Sequence, residues 1–167
     1  MKISDLYKIF NNHPNVTTDT RNIKENSIFF ALKGDNFNGN KFAKKAIKDG
    51  CHYAIIDQAE FQLNEKYILV DDVLKCLQNL AAYHRDQIKI PVIGITGTNG
   101  KTTSKELIYS CLSTELNTLA TDGNYNNHIG VPLTLLRLNK EHDIAIIEMG
   151  ANHEDEIKYL CEIAKPN

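Results

Sequence analysis

A glycine-rich turn between an apolar run and a helix-like segment constrains the fold of this chain more than any other feature. Residues 91–96 form an apolar run, which predicts a buried strand. The segment that begins at Ser104 carries four apolar side chains at helical spacing, which predicts a helix with one apolar face. These side chains are Leu107, Ile108, Cys111 and Leu112. A strand, a short turn and a helix in this order favour an α/β fold.

The rest of the chain alternates between strand-like and helix-like patterns. Strands are predicted at residues 27–32, 53–56, 67–70, 118–121 and 143–148. Further helices are predicted at residues 41–49, 72–87 and 131–138, and after a cap at Asn152. The long helix at 72–87 ends shortly before Pro91, which indicates a domain boundary.

Composition excludes several classes of protein. The chain is 42% hydrophobic and 24% charged, which is ordinary for a globular protein. Its net charge of -2 argues against a dedicated nucleic-acid binder, since such proteins carry a basic excess. We expect a cytoplasmic protein without membrane insertion, because the chain has no secretory signal and no apolar run near about 20 residues. The four cysteines lie far apart and are interpreted as reduced core thiols.

The glycine-rich turn has the composition of a phosphate-binding loop. Its candidate nucleotide-binding residues are Gly97, Thr98, Asn99, Gly100, Lys101, Thr102 and Thr103. Glycines let successive N–H groups point at an anion, and the following helix adds its positive end. Lys101 would reach the outer phosphates of ATP, and the Thr102 hydroxyl would bind Mg²⁺. The strict pattern has a glycine where this chain has Ile95, so a plain turn between strand and helix is the alternative.

A carboxylate at the end of a neighbouring strand would complete a magnesium site. Glu148 follows the apolar run 144–147 and should emerge at the carboxyl edge of the sheet, where ligands of α/β proteins bind. A charge there is costly unless it is paired or bound to a metal. The alternative is a solvated glutamate at the strand end.

Four segments together resemble the Mur ligase family. Residues 94–103 resemble its ATP loop, 124–134 its acceptor-binding loop and 148–153 its metal-ligand segment. Residues 19–21, with 29–34, resemble its uridine-nucleotide-binding domain. By composition alone the Asn-rich loop would be a turn, but the flanking motifs favour the family. The resemblance is strongest to the members that add a dipeptide to the nucleotide-linked tripeptide.

The resemblance implies the architecture of the chain. Residues 1–88 would be a small α/β domain that holds the UDP end of the precursor. Residues 89–167 would be the first part of a central ATPase domain of the phosphate-loop type, with a mostly parallel sheet. The rest of a three-domain enzyme would lie beyond Asn167, and we expect a monomer for that longer protein.

The resemblance also implies roles for individual residues. Lys101 and Glu148 would be catalytic, and Thr102, Glu148 and His153 would lie at the metal. Asn126 and Asn127 would contact the acceptor substrate. Thr20 and Arg21 would lie near the uridine diphosphate. Asn38, Asn40 and Asp155 depart from the family pattern, so an Asn-Gly turn is the alternative at residues 38–40.

The reaction implied by the resemblance is the joining of D-alanyl-D-alanine to UDP-N-acetylmuramoyl-tripeptide, with ATP and Mg²⁺. Other members of the class, including folylpolyglutamate synthase, are alternatives, although the Asn-rich loop argues against them. A GTPase is excluded by His142, which stands where the guanine-reading aspartate would be needed. A module that binds without turnover is the remaining alternative for the 167-residue chain.

Four lysines and two histidines are given no role in this scheme. Lys41, Lys44, Lys45 and Lys48 share one predicted helix face, which is interpreted as solvated rather than as a phosphate-binding surface. His13 and His84 have no partner spacing, and they are expected at the surface.

Overall fold

The computed structural model describes residues 1–167, which divide into two compact units, Met1–Leu77 and Gln78–Asn167. The helix α3 (Val73–Gln87) contains the boundary between them. None of the helices combines the length and apolarity needed to cross a membrane.

The first unit is built around a four-stranded parallel sheet. Its helices are α1 (Ile3–Asn12) and α2 (Ala43–Lys48). The sheet contains β1 (Val16–Thr17), β2 (Ser27–Phe30), β5 (Cys51–Ile56) and β6 (Tyr67–Leu69), in that order. An antiparallel hairpin of β3 (Lys33–Gly34) and β4 (Phe37–Asn38) follows β2 in the chain. All four residues of β2 are buried, as expected for an inner strand of a parallel sheet.

The second unit has a three-stranded parallel sheet in the order β7-β9-β8. Its strands are β7 (Val92–Ile95), β8 (Thr118–Ala120) and β9 (Ile144–Glu148). The helices are α4 (Lys101–Leu112), α5 (Gly130–Leu135) and α6 (Glu156–Ala164). Ile95 is paired with Glu148, so β7 and β9 end side by side. The expected α/β class with mostly parallel sheets is confirmed.

Two helices begin at different residues from those predicted. Helix α4 begins at Lys101 rather than Ser104, directly after Gly100 in the left-handed conformation. Helix α6 begins at Glu156, so the prediction of a cap at Asn152 was wrong. The Glu156 carboxylate instead accepts N–H bonds from Asn152 and His153, which satisfies donors that precede the helix.

The predicted inner face of α4 was wrong at two positions. Leu107 is 64% exposed and Cys111 is also exposed, so Cys111 is not a core thiol. The side of the helix with Lys105, Ile108 and Leu112 is the less exposed one, and Lys105 is its single buried residue. Periodicity identified the helix, but the neighbouring strands decide which of its faces is covered.

The expectation of a surface position was wrong for His84. His84 is buried, and its Nε2 lies 2.9 Å from the carbonyl oxygen of Leu138. Burial lowers the pKa of this imidazole. His13 is half-buried and stacks on His52 with 4.1 Å between ring centroids. The lysine face is exposed as expected, although Lys45 pairs with Asp49.

Candidate functional site

The glycine-rich turn is an open loop between β7 and α4. Gly97 and Gly100 have φ angles of +147° and +76°, which side-chain-bearing residues rarely adopt. Thr98, Asn99 and Thr103 are exposed around them. The first turn of α4 has N–H groups without helical partners, and no side chain at the N-cap position accepts from them. The loop can therefore present N–H donors and a positive helix end to an anion.

Lys101 lies across its own loop. Its Nζ donates a 2.7 Å hydrogen bond to the carbonyl oxygen of Gly97, and the residue is half-buried. The ammonium group therefore lies beside the exposed glycines rather than away from them. An anion bound in the loop could replace the Gly97 carbonyl oxygen as the partner of the Lys101 ammonium group.

Glu148 is the buried acid of this region, with 1% of its surface exposed. Its Oε1 accepts a 2.8 Å bond from Asn126 Nδ2 and a 3.3 Å contact from the Thr102 hydroxyl. Its Oε2 has no hydrogen-bond partner and is fully buried. A buried carboxylate oxygen without a partner is costly in a folded protein. The free Oε2 atom of Glu148 and the adjacent Thr102 hydroxyl are oxygen ligands of the kind that Mg²⁺ binds.

The Asn-rich loop reaches the same place from the other side of β9. The Gly150 N–H donates to the carbonyl oxygen of Asn126 at 2.8 Å, so this loop is tied to the residues after β9. Asn127 differs from Asn126, because its Oδ1 accepts from the N–H groups of Ile129 and Gly130 at the start of α5. The structure thus brings Asn126 to Glu148, while Asn127 caps a helix.

Lys105 and Thr121 belong to the same region, although neither was predicted as a site residue from the sequence. Lys105 is 2% exposed, and its Nζ lies 2.6 Å from the carbonyl oxygen of Thr121. The Thr121 hydroxyl accepts a 2.9 Å bond from the Glu148 N–H. The only sequence signal was that Lys105 lies four residues after Lys101, which indicates a shared side of the helix but not burial.

A cavity of about 290 Å³ lies in the second unit. It is lined by Asn127, His128, Asn152 and His153, among other residues. The lowered pKa of the Glu156 carboxyl at its edge follows from the backbone N–H groups of Asn152 and His153, with the nearby imidazoles adding to it. The structure contains no cluster of three or more His, Cys, Asp or Glu side chains suited to a metal. The role of His153 as a metal ligand therefore stays a prediction.

The first unit contains a cavity of about 530 Å³, which both predicted uridine-site residues line. Arg21 is held beside it by three side-chain hydrogen bonds to Asp19. Its Nε donates to Oδ1 and Oδ2 at 3.0 Å each, and its Nη2 donates to Oδ2 at 2.6 Å. This pair lowers the pKa of Asp19 to about 2. Phe37 and Phe42 stack at 5.3 Å between ring centroids and also line the cavity with Thr20. The cavity thus combines an arginine–aspartate ion pair with aromatic surface.

The two asparagines that depart from the family pattern are engaged within the protein. Asn40 is fully buried, and it bonds to Asp57 through both ends of its amide. Asn38 accepts from the Asn40 N–H and donates to Gln58 at 2.7 Å. These bonds tie the short helix at 39–42 to the end of β5.

Comparison with known proteins agrees with this geometry. Residues 95–167 match the Mur ligase middle domain, and residues 14–85 match the Mur ligase family, catalytic domain. The UDP-N-acetylmuramoyl-tripeptide–D-alanyl-D-alanine ligase of Bacillus subtilis (strain 168) is 40% identical over 91% of this chain and 34% of its own length. The enzyme of the same name from Synechocystis sp. (strain PCC 6803) is 44% identical over 91% of this chain.

A solved structure agrees as well. The crystal structure of MurF ligase from Thermotoga maritima in complex with ADP has a TM-score of 0.83 and 31% identity, over 99% of this chain and 37% of that one. The chain spans about a third of the length of the curated relatives that it matches. Both compact units thus match parts of a single kind of enzyme in the same order, and the chain belongs to the Mur ligase family.

Proposed function

We propose that this chain contributes the UDP-precursor site and the phosphate loop of an ATP-dependent ligase that joins D-alanyl-D-alanine to UDP-N-acetylmuramoyl-tripeptide. The observation that carries the proposal is the buried Glu148 carboxylate, which contacts Thr102 beside the glycine-rich loop and has one unpartnered oxygen. The names of the relatives support the choice of substrates, and the ADP complex of the Thermotoga maritima enzyme supports ATP.

Formation of an amide from a carboxylate in water requires activation, because a carboxylate is a poor electrophile. In the proposed reaction, the terminal carboxylate of the tripeptide attacks the γ-phosphorus of ATP, which yields an acyl phosphate and ADP. The amine of D-alanyl-D-alanine then attacks the acyl carbon, and phosphate leaves. Such a reaction needs positioning and charge stabilisation more than a side-chain nucleophile.

The roles of the residues follow from their positions. The loop N–H groups and Lys101 would stabilise the charge on the transferred phosphoryl group. Thr102 and Glu148 would hold Mg²⁺, which would neutralise phosphate charge when bound. Asn126 would keep the Glu148 carboxylate oriented through its 2.8 Å bond. Asn126 and Asn127 are proposed to contact the acceptor substrate, and Asn127 lines the adjacent cavity. His153, which lines the same cavity, is proposed to lie at the metal.

The first unit would hold the nucleotide end of the acceptor. The exposed Arg21 guanidinium could pair with a diphosphate, and the exposed rings of Phe37 and Phe42 could contact an apolar or planar group. We retain 1–88 and 89–167 as the proposed domain limits. The proposed enzyme is cytoplasmic and monomeric, binds no nucleic acid, and serves peptidoglycan synthesis and thereby cell shape and division.

Calorimetry on the 1–167 chain tests the class of ligand. We expect binding heat with UDP-N-acetylmuramoyl-tripeptide and with ATP in the presence of Mg²⁺, and none with GTP. Lys101→Met should abolish the heat with ATP but leave the heat with the UDP precursor unchanged. Heat with GTP alone would overturn the proposal.

A second experiment tests the step in the pathway. Phosphate release by a chain of the relatives' full length should be stimulated by D-alanyl-D-alanine and not by single amino acids. The 1–167 chain alone is proposed to bind without turnover, since it covers 34% of the length of the Bacillus subtilis enzyme. Stimulation by a single amino acid would instead assign another ligase of the family.

A further inference from the structure

Lys105 is a buried cation for which the proposed reaction has no use. It is 2% exposed and lies one helical turn beyond Lys101 on α4. Lysine is almost never fully buried without a partner, because the loss of water around the ammonium group is costly. Its partners are the carbonyl oxygen of Thr121 at 2.6 Å and the carboxylate of Glu106 at 2.9 Å. The Glu106 side chain is 61% exposed, so Thr121 is the buried partner.

Thr121 connects three elements through its polar atoms. Its N–H donates to the carbonyl oxygen of Ile146 at 3.0 Å and thereby continues the pairing of β8 with β9. Its hydroxyl accepts from the Glu148 N–H at 2.9 Å. Its carbonyl oxygen accepts from Lys105. Thr121 itself is 1% exposed, so these bonds form away from solvent.

The three elements carry the groups of the proposed nucleotide site. Helix α4 carries Lys101 and Thr102 at its start. Strand β9 ends at Glu148, and Thr121 begins the loop that carries Asn126. The bond from Lys105 to Thr121 is therefore a buried polar link between the phosphate-loop helix and the carboxylate and amide that face it.

We propose that Lys105 is a positioning residue for the metal–nucleotide site. Through Thr121, it holds Glu148 and Asn126 against the phosphate-loop helix. The inference depends on the proposed function, because it assumes that Thr102 and Glu148 hold Mg²⁺ with a nucleotide. It assigns Lys105 no contact with the nucleotide. Loss of Lys105 should therefore weaken the contribution of Mg²⁺ to ATP binding. The contribution of the loop N–H groups and of Lys101 to ATP binding should stay unchanged.

Calorimetric titration of the 1–167 chain with ATP, in EDTA and over a series of MgCl₂ concentrations, tests this assignment. For Lys105→Met we expect the half-saturating Mg²⁺ concentration to rise by about tenfold or more, as is typical when a group behind a metal ligand is lost. The affinity for ATP in EDTA should stay within about twofold of wild type, because the loop is intact. Lys158→Met, the same change at an exposed position on α6, should match wild type in both titrations.

The outcomes separate the inference from the proposed function. Absence of ATP binding by the wild-type chain would refute the proposed function itself. ATP binding by wild type, with an unchanged Mg²⁺ requirement in Lys105→Met, would overturn only the role of Lys105. If Lys105→Met lacks a cooperative thermal transition, Lys105→Gln replaces it, since glutamine keeps an N–H donor on a shorter side chain. Failure of both variants to fold would assign Lys105 to stability alone and also overturn the proposal.

Discussion

The Nδ2 atom of Asn126 donates a 2.8 Å hydrogen bond to Oε1 of Glu148, and this is the shortest polar contact made by the buried carboxylate. The loop after β8 thereby contacts the end of β9 through a side chain. The Oε2 atom of Glu148 has no hydrogen-bond partner. The bond from Asn126 to Oε1 therefore supplies much of the stabilisation that offsets the cost of burying this carboxylate.

Replacement of Asn126 by alanine should destabilise the second unit. The change leaves the buried carboxylate with only the 3.3 Å contact from Thr102. We expect the free energy of unfolding to fall by about 1–3 kcal/mol, the usual cost of leaving a buried group unsatisfied. Urea denaturation measures it. Asn124→Ala, at an exposed position of the same loop, should stay within about 0.5 kcal/mol of wild type, and equal losses in both variants would contradict the role of the amide.

Gly130 should tolerate no side chain. A Cβ atom there would lie 2.3 Å from the backbone carbonyl carbon of Tyr125, so the Asn-rich loop would have to shift. We expect Gly130→Ala to reduce the free energy of unfolding by about 1–3 kcal/mol, as overpacking usually does. Gly34→Ala is the matched control, because a Cβ atom there would meet nothing within 4 Å. Thermal or urea unfolding of the two variants should differ clearly, and similar stabilities would refute the steric argument.

Stability should depend on pH through His84. Burial lowers the pKa of this imidazole below its usual value of 6.5. The unfolded chain then binds a proton more readily than the folded one, so stability is lost as the pH falls below about 6.5 toward the folded-state pKa. His84→Gln removes this titration. Urea denaturation of both proteins at pH 8 and pH 5.5 measures the free energy of unfolding that is lost on acidification. This loss should be smaller for the variant, and equal losses would exclude a contribution of His84 to the pH dependence.

Two arginines of the second unit should respond differently to replacement by lysine. Arg85 is 6% exposed and donates to the carbonyl oxygens of Ile88, Ala164 and Lys165. The single ammonium group of lysine cannot donate in the three directions that the planar guanidinium uses. Arg85→Lys should therefore lower the free energy of unfolding by about 1–3 kcal/mol, because some carbonyl acceptors lose their partner.

Arg137 provides the control for this comparison. Its 2.5 Å ion pair with Asp122 is exposed, so Arg137→Lys should cost less than about 1 kcal/mol. The midpoint of thermal unfolding measures both changes. A larger effect at Arg137 than at Arg85 would contradict the importance of burial.

Much of the site could be predicted from local sequence. The turn at 97–100 follows an apolar run and directly precedes helix α4, and its glycines have the positive φ angles that such a loop needs. Glu148 follows an apolar strand, and the parallel pairing of β7 with β9 brings it to the loop. Both inferences use only chain order and the rule that parallel strands end at one edge of the sheet.

The amino-acid sequence by itself determined the order of strands and helices, the phosphate loop and the strand-end acid, because these depend on neighbours along the chain. Only the tertiary structure decided that Asn126 reaches Glu148, that His84 is buried and that α4 turns Lys105 rather than Leu107 inward. Burial is set by whichever elements pack against a given face, and those elements lie far away in sequence. A polar residue on a covered face, such as Lys105, is therefore invisible to periodicity until its distant partner Thr121 is known.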